Sequence, residues 1–239
     1  MLGAMDNCCS LFAAADPGRS ALANIVGTYE HMAGAASLEE VRAAAVASGA
    51  VIHGYLLPGR YIAMTRVPMG ELISRVHAAD DGGLDGLMDG VSSTPHETGI
   101  TLEPSAIGAA IDAGRPRIEV LQALLESGAA VLKRFADAWQ AEDPTLPIAA
   151  VGGGAGHPAV LQLKANLLGR PLATLASDES AGLGALRLAA MATQGFSAAD
   201  AIELFANPTR RVFVPASNAV GPSSSMPGST APVSTHGGA

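Results

Sequence analysis

The strongest constraint on the fold is a glycine run that lies between two apolar segments in the second half of the chain. Residues 146–151 predict a strand, residues 152–156 a glycine turn, residues 158–168 a helix and residues 170–176 a second strand. Two parallel strands need a crossover connection, which a helix usually provides. This segment therefore predicts one βαβ unit and places the chain in the α/β class.

The flanking sequence predicts further helices and shorter strands. Two helix starts are marked by capping pairs, Ser37 with Glu40 and Ser197 with Asp200, in which each residue can bond the backbone of the other. The other predicted elements are a strand over 22–26, a hairpin over 51–66, a helix over 69–78, a loop over 80–104 broken by one helical turn, a long helix beginning at Pro116, and a helix over 179–193.

Composition and charge exclude several classes of partner. The chain has 239 residues, of which 15% are charged, and its formal net charge is -8. Binding to nucleic acid or anionic lipid depends on clustered Lys and Arg. No apolar run reaches the ~18 residues of a membrane-spanning helix, and Asp6 interrupts the apolar start in a way that disfavours a signal peptide. We therefore predict a soluble protein that acts on small molecules, with no nucleic acid and no membrane partner.

Neither the cysteines nor the histidines predict a cross-link or a metal site. Cys8 and Cys9 are neighbours, and adjacent residues rarely reach disulfide geometry, which favours a reducing cytoplasm. Four histidines share no metal-ligand spacing and are predicted to be surface or core residues: His31, His53, His77 and His96.

The glycine run has the features of a nucleotide-binding turn. Gly152, Gly153 and Gly154 follow a predicted strand and precede a helix, where the backbone can approach a ligand closely and the helix N-terminus offers free amides. A second glycine turn, Gly27 with Thr28, could donate backbone and hydroxyl hydrogens to a phosphate. Either turn could also be a plain strand-end turn.

One interpretation of the glycine run is a dinucleotide site. Gly154, Gly156 and Ala159 satisfy the pattern G-x-G-x-x-A, and Asp178 follows about 20 residues later. A doubly wound domain needs further strand and helix units after the first, whereas two helices and a loose tail follow here. We keep this interpretation as the less favoured alternative.

A longer pattern supports a different family. The segments GGGAGHPAVLQLKANLLGRPL and DESAGLGALRLAA resemble the FGGY family of carbohydrate kinases, as do ALLESGAAVLKRF and the pair PGRY and MGEL upstream. The chain departs from the family at Gly156 and His157, where Arg-Ser or a similar pair is usual. The resemblance runs from about Gly3 to Ala190 and implies the second, nucleotide-binding domain of a sugar kinase, with an actin-like ATPase (ribonuclease H-like) fold.

The resemblance also assigns roles to individual residues. It implies that Gly152, Gly153 and Gly154 form the loop that holds the adenosine part of ATP, and that Gly27 and Thr28 form a phosphate loop. The opening segment Gly-Ala-Met-Asp resembles the family's Gly-x-x-Asp segment, which makes Asp6 the implied catalytic base. A helix cap is the alternative role for this aspartate.

The implied activity is the ATP-dependent phosphorylation of a sugar or polyol hydroxyl, with ATP and Mg2+ as cofactors. The family's Asp-x-Gly-Thr phosphate and Mg2+ loop does not occur in this sequence. We therefore expect residues 1–20 to be a remnant of a first domain and a hinge, residues 21–212 to be the nucleotide-binding domain, and residues 213–239 to be a disordered tail. The chain alone is expected to be inactive, and a separate N-terminal kinase domain is a candidate partner. The alternative is a non-catalytic nucleotide-binding remnant or partner subunit.

Overall fold

A computed structural model describes residues 5–77, 83–96, 104–139 and 143–216. The strands are β1 Leu22–Val26, β2 Glu30–Ala36, β3 Val51–Gly54, β4 Tyr61–Met64, β5 Ile148–Val151, β6 Leu172–Leu175 and β7 Thr209–Phe213. The helices are α1 Asp6–Ala14, α2 Leu38–Ser48, α3 Met69–His77, α4 Leu84–Asp89, α5 Pro104–Asp112, α6 Arg117–Ala138, α7 Pro158–Leu168, α8 Ser180–Gln194 and α9 Ala198–Leu204.

The strands form one sheet in the order β3-β4-β2-β1-β5-β6-β7. The neighbouring strands β1, β5 and β6 run parallel, and the pairs outside them are antiparallel. Ile148 of β5 lies opposite Leu172 of β6, with α7 between the two strands in the chain. The predicted βαβ unit and the predicted hairpin, here β3 and β4, are both confirmed.

The sheet is buried on both faces, which explains why its central strands are almost wholly apolar. On β1, Leu22 belongs to the larger core cluster, which includes α6 and α7, whereas Ala23 and Ile25 belong to a smaller cluster that includes α1. Successive strand residues point to opposite faces, so this alternation separates the two helical layers. The helix α6 supplies much of the larger cluster, including Phe135.

Helix α1 packs very closely against α8. A Cβ atom on Gly184 would lie 1.9 Å from the backbone oxygen of Cys9, so only glycine permits this approach. Arg187, which is fully buried, donates to the backbone oxygen of Phe12 through Nη1 and to that of Phe205 through Nη2, at 2.8 Å in the second case. Burial lowers the pKa of the Arg187 guanidinium. These contacts fix the helix that begins at Asp6.

Several sequence-based predictions differ from the structure. Strands β2 and β7 and helix α5 were not predicted, because β2 is rich in small residues and β7 carries adjacent arginines, so neither has the usual β-branched pattern. Both capping boxes are present, at Ser37 with Glu40 and at Ser197 with Asp200. The helical turn within the predicted 80–104 loop is α4. Parts of that loop, and residues 217–239 of the predicted tail, lie outside the described residues.

The packing of α1 on α8 generates a stability prediction. We expect Gly184→Ala to lower the free energy of unfolding by about 2 kcal/mol or more, because overpacking against a backbone atom forces two helices apart. Gly182→Ala is the matched control in the same helix, since a Cβ there meets no atom within 4 Å, and Ala is the better helix former by about 1 kcal/mol. Urea denaturation of both variants checks this. Equal stability of the two variants would contradict the close packing.

Candidate functional site

The glycine run after β5 is packed against the end of β1. Gly152 has a φ of +93°, and a Cβ on it would lie 2.6 Å from the backbone oxygen of Val26. A Cβ on Gly154 would lie 2.4 Å from Val26 Cγ1, whereas one on Gly153 meets no atom within 4 Å. The predicted glycine turn is one turn of 3-10 helix over Gly153–Gly156. The turn is tight because two glycines lie directly on β1.

The second glycine turn joins β1 to β2 and rests on the start of α3. The amide of Gly27 donates to the backbone oxygen of Tyr29 at 3.2 Å, and the backbone oxygen of Thr28 accepts from Gly70 at 3.0 Å. A Cβ on Gly70 would lie 2.8 Å from Thr28 Cα. Because β1 and β5 are adjacent and parallel, both glycine turns follow carboxyl ends at the same edge of the sheet, where α/β proteins commonly bind ligands.

Two cavities meet at these turns. The first, which we call the apolar cavity, has a volume of about 530 Å³, a size typical of ligand pockets. Both glycine turns contribute to its wall, as does Lys164. Its other wall residues are mainly apolar side chains from α3, α4, α6 and α7: Met69, Ile73, Leu84, Met88, Leu125 and Val160.

The second cavity, which we call the acidic cavity, has a volume of about 520 Å³. Its wall includes the carboxylate residues Asp6, Asp178 and Glu179 together with Asn7 and His31. The two cavities share four wall residues, which form their border: Val26, Gly27, Thr28 and Gly153. The structure therefore brings all six predicted site residues to one region, with Asp6 and Gly152 on the acidic side and Gly154 on the apolar side.

Asp6 is the first residue of α1 and is exposed on the wall of the acidic cavity. The N-cap residue is Met5, whose side chain makes no capping hydrogen bond, so Asp6 is not the N-cap residue. Asp6 Oδ1 accepts a hydrogen bond from the amide of Asn7 at 2.8 Å. The helix end thus uses only Oδ1 of Asp6, and its capping does not involve Oδ2. Gly3, the first residue of the predicted motif, lies outside the described residues.

Beside Asp6, a histidine lines the acidic cavity. His31 Nδ1 lies 2.5 Å from the backbone oxygen of Thr65, and Asn7 Nδ2 lies 3.3 Å from His31 Nε2. A carbonyl oxygen only accepts, so Nδ1 carries the proton and Nε2 of the neutral ring accepts from Asn7. The sequence predicted a surface or core histidine; His31 is buried and also reaches the cavity. Its place on the cavity wall was missed because strand β2 was not predicted.

Among the described residues, no group of three or more His, Cys, Asp or Glu side chains could hold a metal ion. The residues that the structure describes therefore do not by themselves form a site for the Mg2+ that the resemblance implies. In the same part of the chain, no helix combines the length and the apolar character that crossing a membrane requires. Cys8 and Cys9 are both buried free thiols, and burial raises the pKa of Cys8 to about 11.

Comparison with known proteins bears on the same elements. Residues 91–193, which include α6, the glycine turn, α7, β6 and most of α8, match the C-terminal domain of the FGGY family of carbohydrate kinases. Solved structures of sugar kinases share the fold. The resemblance to the FGGY carbohydrate kinases is confirmed. The α/β sheet with its two helical layers matches the actin-like ATPase domain at the C-terminal end of FGGY kinases. No curated protein matches the chain by sequence.

The solved FGGY kinases show how much of such an enzyme this chain spans. A xylulose kinase from Brucella ovis superposes with a TM-score of 0.66 at 21% identity, over 90% of this chain and 48% of that one. A gluconate kinase from Lactobacillus acidophilus superposes with a TM-score of 0.64 at 17% identity, over 90% of this chain and 46% of that one. Plasmodium falciparum glycerol kinase with ADP superposes with a TM-score of 0.61 at 16% identity, also over 90% of this chain and 46% of that one. The chain thus spans about half the length of these kinases.

The sheet also bears on the dinucleotide alternative. The strand pairs outside β1, β5 and β6 are antiparallel, whereas a doubly wound dinucleotide-binding domain has a mostly parallel sheet.

The glycine turn generates the prediction for this site. We expect Gly152→Ala to lower the free energy of unfolding by about 2 to 4 kcal/mol, because an L side chain is strained at positive φ and its Cβ would meet a backbone oxygen of β1. Gly156→Ala is the control, since it ends the same turn and its Cβ meets no atom within 4 Å. Thermal denaturation of the two variants measures this difference in stability. A stable Gly152→Ala protein would show that the turn does not press on β1.

Proposed function

We propose that this chain forms the nucleotide-binding half of a carbohydrate kinase, which transfers the γ-phosphoryl group of ATP to a hydroxyl of a sugar or polyol. The observation that carries this proposal is the border between the two cavities. Two glycine turns separate an apolar cavity from an acidic cavity that holds Asp6. A phosphoryl donor and an acceptor hydroxyl need such an arrangement, with phosphates between a base-binding pocket and a carboxylate.

The adenosine of ATP is assigned to the apolar cavity. Met69, Ile73 and Met88 offer an apolar wall against which a planar base can pack. Gly153 and Gly154 let the backbone approach the ribose or base, and the N-terminus of α7 follows directly, with free amides and the positive end of the helix dipole. The glycerol kinase with ADP, which shares the fold, supports a nucleotide as the ligand.

The phosphates are assigned to the border turns. Gly27 and Thr28 are exposed and contribute to both cavities. The amide of Gly27 already donates to Tyr29, so the donors that this turn offers to phosphate oxygens are the backbone amide and the hydroxyl of Thr28. The Gly70 contact holds this turn in place, so the donors are positioned before the ligand arrives. Positioned donors stabilise charge that develops during transfer without further reorganisation.

Asp6 is assigned the role of general base. Its carboxylate takes the proton of the sugar hydroxyl while that oxygen forms a bond to the γ-phosphorus and ADP leaves with the bond electrons of the bridging oxygen. Asp6 is exposed on the acidic cavity, next to the border turns. The described residues offer no cluster of side chains that could hold Mg2+.

The domain boundaries are part of the proposal. Residues 21–212 form the nucleotide-binding domain. Helix α1, predicted to lie in a hinge, and Phe213, predicted to begin a tail, both pack in the core of that domain. The solved kinases are about twice as long as this chain, and we propose that the remaining sugar and Mg2+ contacts come from a first domain, in the same or a separate cytoplasmic polypeptide. Residues 1–239 alone are then expected to bind ATP without turnover.

The first test of this function is nucleotide binding. Isothermal calorimetry on residues 1–239, with and without Mg2+, should detect ATP. Gly154→Val should weaken ATP binding at least tenfold, because its side chain would displace Val26 and with it the border turn. Gly156→Val is the control and should change the dissociation constant less than about twofold, since a Cβ there meets no atom within 4 Å. Absence of ATP binding by the unmodified chain would refute the proposed function.

The second test concerns Asp6 in an enzyme completed with a first kinase domain by fusion or co-expression. Asp6→Asn should lower kcat by about 10²- to 10⁴-fold, the usual contribution of a general base, while thermal stability stays unchanged. Asp178→Asn is the matched control, because it removes one negative charge from the same cavity. Equal losses in both variants would indicate a general electrostatic effect and no base at Asp6. A completed protein that binds ATP but never turns over would be a non-catalytic subunit.

A further inference from the structure

A buried ion pair lies beneath the two glycine turns. Lys164 Nζ is 2.5 Å from Glu30 Oε1, and both side chains are only 1% exposed. Asn24 Nδ2 donates to the same carboxylate oxygen at 2.8 Å and to the backbone oxygen of His31 at 3.2 Å. The carboxylate is therefore held from two sides, by an ammonium group of α7 and by an amide of the central strand β1. None of these three residues was assigned a role by the sequence.

A contribution to fold stability does not explain why this buried cluster is present. Removing two charges from water costs several kcal/mol each, and replacing a buried ion pair by apolar side chains is often neutral or stabilising. Two acceptors of the cluster, Glu30 Oε2 and Asn24 Oδ1, are also buried without a hydrogen-bond partner in the described part of the chain. An acceptor left in this state costs further free energy. The cluster costs stability that an apolar core would not.

The position of the pair suggests what it does. Glu30 is two residues beyond Thr28, at the start of β2, and its backbone exchanges two hydrogen bonds with Val67, at 2.7 and 2.9 Å, just before α3. Lys164 is in the helix that follows the glycine turn, and it contributes to the wall of the apolar cavity. The pair thus joins the segment after one border turn to the helix after the other.

We propose that the Glu30–Lys164 pair is a positioning element that sets the separation of the two glycine turns across the apolar cavity. A short charged hydrogen bond is directional, and Asn24 fixes the orientation of the carboxylate, so neither segment can slide against the other. Apolar contacts in the same place would hold the segments together without fixing their register. The consequence for ATP rests on the proposed function, whereas the mechanical role does not.

The decisive experiment replaces the pair by apolar side chains of similar length. In Glu30→Met with Lys164→Met no buried charge is left unpaired, so the melting temperature should stay within a few degrees of the parent value. Amide exchange, followed by NMR without nucleotide, should rise about tenfold at Gly27 and Ala155, whose amides bond within the two turns. The amide of Gly49, which bonds to Ala45 in α2, should exchange at the parent rate. The ATP dissociation constant should rise about tenfold.

Two further variants complete the test. Lys133→Met with Asp137→Met removes an exposed ion pair of α6 and should leave exchange at both turns unchanged. If the buried double variant does not fold, Glu30→Gln alone replaces it, because glutamine keeps the shape and one acceptor oxygen; exchange should then rise several-fold at both turns and not at Gly49. Parent-like exchange at the turns in the folded variant overturns the inference. If the parent protein does not bind ATP, the proposed function is refuted. If amide exchange at the two turns is still faster in the variant, the positioning role stands.

Discussion

The site depends on the side-by-side ending of two parallel strands, β1 and β5, at the centre of the sheet. Their carboxyl ends place the two glycine turns side by side, and Val26 at the end of β1 lies close enough to Gly152 and Gly154 to exclude a Cβ at either. Backbone amides can crowd together in this way only where side chains are absent. The two cavities, their shared border and the exposed Thr28 hydroxyl all follow from this contact.

The helical layers then give the two sides of the border different chemistry. On one face, α3, α6 and α7 supply an apolar wall, which suits the flat face of a base. On the other face, α1 and the two residues just before α8 supply carboxylates. Because α1 packs on α8 through Gly184 and the buried Arg187, Asp6 lies on a helix that the core holds and not on a loop. Rigid placement of this kind is what general base catalysis requires.

The sequence was sufficient for part of this arrangement. The βαβ unit and the capping boxes were found because glycine runs and capping pairs are local signals. The six predicted site residues line the two cavities, and their roles stay predictions. Strands β2 and β7 were not found, since a run such as His-Met-Ala-Gly-Ala-Ala has no strong local preference and becomes a strand only through its neighbours. Glu30 and Lys164 are separated by 134 positions. Their contact forms only in the tertiary structure, so no local sequence pattern could predict it. The contact of His31 with Asn7 depends on the same unpredicted strand.

Strand β2 is also the element that connects the two cavities. Successive residues of a strand point to opposite faces, and here Glu30 reaches Lys164 in the layer of α7 while His31 reaches Asn7 in the layer of α1. Asn7 is the neighbour of Asp6 in the chain. A small displacement of the start of β2 therefore acts on the wall of the apolar cavity through one side chain and on the carboxylate end of α1 through the next. The relative placement of the two cavity walls thus depends on one strand whose first two residues are both polar and both buried.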